Sequence, residues 1–339
     1  MLYRAVRPLL FALDPEAAHS LSLAGLDVLA RLGAAPLLAC SVPRLPVRVI
    51  GLDFPNPVGL AAGLDKDGAH IDALAALGFG FLEVGAVTPR PQPGNPGPRV
   101  FRLPQAQALI NRLGFNSRGV DTFVENLGRV RSRAVVGVNI GKNADTPNER
   151  ASEDYLACLR KVYAHASFVT ANVSSPNTKN LRELQRADEL DAFLAALTRE
   201  RDRLAAQHGR RVPLAVKISP DLDDAGIASV ADRAASRGID AVIATNTTVS
   251  RAGVEHLPSG GEQGGLSGAP LKARATEVVG KLRRALPGRI AIIGVGGIGS
   301  AADAREKLDA GASLVQLYTA LVYRGPELVA EIVRGLAAR

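Results

Sequence analysis

The stretch Ile290-Ala-Ile-Ile-Gly-Val-Gly-Gly-Ile-Gly299 decides the fold. Its second half, Gly294-Val-Gly-Gly-Ile-Gly299, is a literal G-x-G-x-x-G that follows a strand pattern and precedes a helical one. In a doubly wound dinucleotide fold that motif opens the sheet, and an acidic residue about 20 positions on holds a ribose. Here it stands near the end of a 339-residue chain. Only one further apolar run, 314–317, fits after it, and no acidic residue stands at the ribose spacing. The better reading is a phosphate cradle, built from backbone N–H groups and a helix N-terminus late in a parallel barrel.

Working outward, apolar runs recur at 58–61, 81–87, 135–140, 168–173, 214–218, 241–245, 290–293 and 314–317. Amphipathic helical patterns lie between them, for example 69–77, 188–207, 224–237 and 271–286. Continuous apolar runs separated by helices imply a parallel sheet covered on both faces. Eight such units predict an α/β fold, a TIM (β/α)8 barrel. Polar and glycine residues gather directly after the runs, at the carboxyl edge where such barrels carry their sites. The connections 88–116 and 246–268 are long and glycine-rich, and read as candidate lids.

Residues 1–45 stand outside the barrel pattern, which divides the chain into an N-terminal helical unit, 1–45, and a barrel, 46–339. Segments 2–13 and 15–32 read as two short helices, with Asp14 as N-cap before Pro15. The second carries Ala18, Leu21, Leu23, Leu26, Val28, Leu29 and Leu32, which is apolar round more than one face. Two apolar faces call for two apolar surroundings: the barrel and lipid, or else an ordinary packed extension or a dimer contact. Residues 43–57 read as a small hairpin leading into the first strand.

Composition narrows the function classes. The chain is 47% hydrophobic with net charge +8, mostly arginine. No tight Lys/Arg cluster with interleaved aromatics occurs, which argues against nucleic acid. The charge reflects either an arginine bias or attraction to an anionic membrane surface or ligand. Cys40 and Cys158 are far apart and imply no disulfide framework; Cys158 falls on a helix face as a small core residue. His19, His70, His165, His208 and His256 lack metal-ligand spacing, so no metal is expected. No apolar run approaches the ~20 residues of a membrane span. The apolar stretch 9–13 is too short for a signal peptide.

Several residues carry chemistry. Gly268, Gly296, Gly297, Tyr318 and Thr319 would grip one phosphate, so the ligand is a phosphorylated cofactor or substrate. Lys217 ends the fifth strand in an apolar run, where it is either a buried ion pair or a cation against developing charge, as on the N1–C2=O edge of a reduced flavin. Lys66, in Gly-Leu-Asp-Lys-Asp, could also hold a substrate carboxylate. Asn111, Asn172, Asn177 and Asn246 are each ordinary turn residues alone, but together they suit a planar ring with alternating N–H and C=O. The segment Ser174-Ser-Pro-Asn-Thr178 lacks a nucleophile elbow, which disfavours hydrolase chemistry. A serine there can act as general base only with a proton path through Thr178 or water.

These residues resemble the dihydroorotate dehydrogenase family over nearly the whole chain. The motifs are Asn56-Pro-Val-Gly-Leu-Ala-Ala-Gly-Leu-Asp-Lys66, Thr88-Pro-Arg-Pro-Gln-Pro-Gly-Asn95, Asn111-Arg-Leu-Gly-Phe-Asn116, Asn172-Val-Ser-Ser-Pro-Asn-Thr178, Gly264-Gly-Leu-Ser-Gly268 and Gly294-Val-Gly-Gly297. The resemblance implies FMN, contacted by Ala62, Gly63, Lys66, Asn139, Asn172, Lys217, Thr245, Gly268, Gly297, Tyr318 and Thr319. Ala86 departs from the pattern, since relatives often carry a flavin-touching threonine there. Dihydroorotate, the implied substrate, would be held by Lys66, Asn111, Arg112, Leu113, Gly114, Phe115, Asn172, Asn177, Asn246 and Thr247. Ser175 would be the base, with Thr178 and Phe115 beside it. It would take the C5 proton while hydride leaves C6 for the flavin.

The soluble class of this family uses a cysteine base, whereas this chain has Ser175 and a helical extension. The resemblance therefore points to the class that reduces a membrane quinone, with His19, Arg102 and Tyr318 lining a tunnel. It implies a peripheral membrane protein on the cytoplasmic face of the cell membrane, with no obligate protein partner. Competing readings are an FMN barrel oxidising a 2-hydroxy acid, which usually wants a rim histidine, and the soluble class coupled to fumarate or NAD. A third is a non-enzymatic nucleotide scaffold.

Overall fold

In a computed structural model that describes residues 2–34 and 41–338, eight parallel strands close into a barrel. They are β1 (Val58–Leu60), β2 (Phe81–Val87), β3 (Val135–Ile140), β4 (Phe168–Asn172), β5 (Leu214–Ile218), β6 (Ala241–Ala244), β7 (Ala291–Val295) and β8 (Leu314–Leu317). Each strand pairs with the next in sequence, and β8 returns to β1 through Val315 opposite Val58. The fold is the predicted TIM barrel. Every strand residue but one of β3 is buried, as expected of a parallel sheet wrapped by helices. The expected helix 69–77 shortens to Ile71–Ala75, and the seventh strand begins and ends slightly later than its apolar run.

The amino end of the barrel is plugged. Val47–Val49 and Leu52–Phe54 form the expected hairpin, which packs its apolar residues under the strands. Phe54, Phe81 and Phe168 meet edge to face, with centroids 5.3 and 6.1 Å apart. Glycines on neighbouring strands make room: a Cβ on Gly59 would lie 2.3 Å from the Phe81 ring, and one on Gly137 2.1 Å from the Phe168 ring. With that end filled by aromatic rings, open space is left to the carboxyl edge.

The two long connections are not open lids. They contain Val100–Leu103, Ala108–Asn111 and Gly265–Gly268, which form one antiparallel three-stranded sheet over the carboxyl edge. The sheet has its own apolar cluster, with Leu103, Ala108, Ile110, Val254 and Leu266 buried.

Helix α2 (Pro15–Arg31) docks against the outer strand of this sheet and against the helix Ile71–Ala75, and helix α1 (Leu2–Ala12) against the helix Thr319–Arg324. Asp14 caps α2, its carboxylate accepting from the Glu16 and Ala17 amides at 3.0 Å. Arg102 donates to the Phe11 and Leu13 carbonyls and stacks 4.8 Å from the Phe11 ring. Arg99 pairs with Glu16 at 3.0 Å. On α2, Ala18, Leu23 and Leu26 are buried, while Leu21, Val28 and the following Leu32 are 56%, 53% and 75% exposed. The two-faced pattern is real, and the second face has no protein cover among the described residues. No helix among them is long and apolar enough to cross a membrane. Cys40, and the rest of 35–40 within the N-terminal unit, lie outside the described residues. Cys158 is buried in its helix, as expected.

Candidate active site

A cavity of about 450 Å³ occupies the carboxyl edge beneath the antiparallel sheet. It has a phosphate-suited end, a charged middle and an amide-rich end.

At the first end lie Gly268, Gly296, Gly297, Tyr318 and Thr319, all lining the cavity as predicted. Gly297 has φ +71°, and a Cβ there would sit 2.4 to 2.7 Å from Lys272 side-chain and backbone atoms. Gly268 has φ +100°, and a Cβ would lie 2.3 Å from the Gln107 carbonyl oxygen. Only glycine gives both the turn and the close approach. The last glycine of the motif behaves differently: the Gly299 amide donates to the Asp303 carboxylate at 3.0 Å. The cradle is therefore smaller than the motif.

In the middle, Lys217 projects from β5 into the cavity, 3.8 Å from the buried Glu83 carboxylate on β2. Glu83 accepts from Asn139 Nδ2 and Gln316 Nε2, both at 2.6 Å. Asn139 accepts from Asn172 Nδ2 at 3.1 Å. Asn139 therefore does not line the cavity; it lies one layer deeper and orients Asn172, which does. Both readings of Lys217, buried ion pair and cavity-facing cation, describe the same side chain. Gln316 also lines the cavity, and its Oε1 is buried with no partner among the described residues. An acceptor in that position calls for a ligand N–H.

At the far end the asparagines interlock. Asn177 Nδ2 donates to the Asn111 backbone and side-chain oxygens at 3.0 and 3.2 Å. Asn246 Nδ2 donates to Asn172 Oδ1 and Ser174 Oγ at 3.2 and 3.0 Å. Ser175 is buried, lines the cavity, and its Oγ accepts from the Asn177 amide at 3.2 Å. Thr178 does not line the cavity; its Oγ1 is buried without a partner among the described residues. Phe115 lines the cavity at φ +55°, the left-handed region that a bulky residue rarely adopts. Gln92 Nε2 holds its carbonyl at 2.8 Å.

Leu113, Gly114, Thr245, Thr247, Ala62, Gly63, Ala86 and Lys66 complete the predicted lining. Lys66 is held down to about 8 chiefly by burial, with the Arg99 charge adding and Asp67 and Glu16 opposing. Burial pushes the Tyr318 hydroxyl up to about 12. Arg112 turns away: it pairs with Glu262 at 2.6 Å, stacks 4.7 Å from the Phe101 ring and ties the two long connections together. His19 and Arg102 lie outside the cavity wall. Burial, then the charges of Lys66 and His70, lower the pKa of His19, which α2 places on the Lys66 side.

Sequence reading missed Glu83 and Gln316, and the cavity-lining Gln107, Ser267, Lys272, Asp303 and Arg324. For the first two the signal was available: each is a charged or amide side chain inside an apolar strand, the criterion that singled out Lys217.

A family model described as dihydroorotate dehydrogenase matches residues 44–339. A Thiobacillus denitrificans protein named dihydroorotate dehydrogenase (quinone) is 61% identical over 99% of this chain and 100% of its own. One of the same name from Chromobacterium violaceum is 62% identical over 99% of this chain and 98% of its own. A crystal structure of DHODH from Eimeria tenella in complex with ferulenol superposes with TM-score 0.86 at 40% identity, covering 95% of this chain and 90% of that one.

Proposed function

Because the chain belongs to the dihydroorotate dehydrogenase family, we propose that it oxidises dihydroorotate to orotate for pyrimidine biosynthesis, with FMN as cofactor and a membrane quinone as electron acceptor. One observation carries the reading. A single cavity joins a glycine cradle for one phosphate, a lysine cation, and an amide set beside a buried serine.

FMN fits the residues present. Gly268, Gly297 and Thr319 would hold its phosphate, and Lys217 would face its electron-rich ring edge. Ala62, Gly63, Ala86, Thr245 and Tyr318 would surround the rest, with Asn139 acting through Asn172. Bound FMN supplies the two-electron acceptor for the hydride that leaves C6 of dihydroorotate. Lys66 binds the substrate carboxylate. Asn111, Asn172, Asn177, Asn246 and Thr247 match the ring N–H and C=O groups, and Leu113, Gly114 and Phe115 close over it. Ser175 takes the C5 proton and Thr178 passes it on. Arg112 serves this site indirectly, by holding the cover in place.

The extension, residues 1–45, supplies membrane and quinone access. Its exposed apolar face rests in the interface of an anionic membrane on the cytoplasmic side, aided by the net charge of +8. Quinone enters between its helices, past His19, Arg102 and Tyr318. One cofactor serving both substrates gives ping-pong kinetics. The decisive measurement is an absorption spectrum of the purified protein, followed by anaerobic addition of dihydroorotate. A flavin spectrum that bleaches supports the reading; a colourless protein, or a flavin that dihydroorotate leaves oxidised, sinks it.

A further inference from the structure

Lys307 has no part in the reaction above, yet it is fully buried. It lies on the helix Ala301–Asp309, on the face that also buries Ala304. Its aliphatic stem packs over β7, with Cβ and Cδ 3.3 and 3.6 Å from where a Gly294 Cβ would stand. Its Nζ donates to the Lys272 carbonyl at 2.8 Å and to Thr276 Oγ1. Both acceptors are neutral. The nearby acids on its own helix are turned elsewhere: Asp303 and Glu306 reach Lys272 Nζ at 3.0 and 3.5 Å. Among the described residues no carboxylate comes within 4.0 Å of Lys307. A buried ammonium with no carboxylate in contact is costly, and the Glu306 and Asp303 charges acting from a distance compensate it only in part. Burial holds its pKa down to about 8, with Lys272 adding and Glu306 and Asp303 opposing, so it is mostly charged at neutral pH.

The compensating charge is read from what Lys307 braces. The Lys272 backbone it holds is the segment packed against Gly297. The ammonium thus stands one residue behind the phosphate cradle. We infer that Lys307 is a positioning residue for the cradle and the buried counter-charge of a bound phosphomonoester, acting through Lys272 rather than by touching the ligand. This rests on the FMN reading above.

The test compares FMN with riboflavin, which shares the ring and lacks the phosphate, on the full-length protein by flavin fluorescence. In Lys307→Met, FMN affinity should fall roughly ten- to hundredfold, the size of a lost interaction with a charged group. Riboflavin affinity should change by less than about threefold. Equal losses for both flavins would make Lys307 a general structural brace and overturn the inference, and so would no loss for either. Should Lys307→Met fail to fold by circular dichroism, Lys307→Gln keeps a donor without the charge, and the same ratio decides. A wild-type protein that binds FMN no better than riboflavin would instead overturn the FMN reading, and this inference with it.

Discussion

Replacing Lys217 by methionine separates its two physical roles. The side chain is 5% exposed and its partner Glu83 is 0% exposed, with Nζ and Oε2 3.8 Å apart. At that distance an effective dielectric near 20 gives an attraction of about 4 kcal/mol. Breaking a buried pair from one side costs about 3–5 kcal/mol, because the remaining charge is stranded. Glu83 keeps its amide donors from Asn139 and Gln316 at 2.6 Å, which offset part of that. We expect a loss of about 3 kcal/mol. With an unfolding entropy of ~2.1 cal/mol/K per residue, a chain of 339 residues then melts about 4 °C lower. The double variant Glu83→Gln, Lys217→Met strands no charge and should recover most of that melting temperature. It should not recover the flavin, whose reduced form loses its cation, so flavin content or midpoint potential stays low. Thermal unfolding, flavin content and spectroelectrochemical titration are run on the three proteins. A Lys217→Met protein with wild-type melting temperature, flavin content and potential would refute the argument. A double variant that regains the flavin properties along with stability would reduce Lys217 to an ion pair.

Three further outcomes are expected. Ser175→Ala should retain FMN yet slow its anaerobic reduction by dihydroorotate ~10²–10⁴-fold; stopped-flow traces that match wild type would remove Ser175 as base. Lys66, with its pKa lowered to about 8, is a cation below that pH and loses its charge as pH rises through it. The dihydroorotate KM should therefore climb above pH 8 in wild type but stay flat and high in Lys66→Met, and parallel profiles would show that Lys66 does not hold the carboxylate. Changing Leu9, Leu21, Val28 and Leu32 to serine strips the face that is 71%, 56%, 53% and 75% exposed. Sedimentation with anionic vesicles should fall sharply while dihydroorotate still bleaches the flavin; undiminished vesicle binding would show that this face is not the membrane contact.

Most of the barrel was legible because its strands are continuous apolar runs and its helices keep a 3.6 period, two signals that are local in sequence. The roof sheet was not. Its strands are four residues long, and Gly265–Gly268 pairs with Ala108–Asn111 across more than 150 positions. Nothing local marks such a pairing. The site divides in the same way. Residues just after strands, such as Ser175, Asn246, Gly297 and Thr319, reach the cavity because the carboxyl edge is their only outlet. Asn139 and Arg112 carried the right residue types but point elsewhere, since their orientation depends on Glu83 and Glu262 from distant segments. Glu83 went unremarked although it stands in an apolar strand as Lys217 does, and the pair is intelligible only once β2 and β5 face each other across the barrel interior.

On the proposed function, the roof sheet is one element that would keep the two half-reactions apart. Asn111, Ser267 and Gly268 line the cavity from its inner strands, and Gln107 from the turn before them. Arg99 and Arg102, at the start of and within its outer strand, hold the extension through Glu16 and the Phe11 and Leu13 carbonyls. This small sheet lies between the cavity and part of the extension, with apolar residues packed within it. The extension also meets the barrel directly: Asp27 pairs with His70, and Tyr3 and Arg7 donate to the Val322 and Tyr323 carbonyls. Polar substitutions on the exposed face of α1 and α2 should alter membrane and quinone access alone. Loosening the sheet itself, as by Arg112→Ala or Arg102→Ala, would disturb both sides together. The cover and one docking platform are the same element, joined to the extension by Arg99 and Arg102.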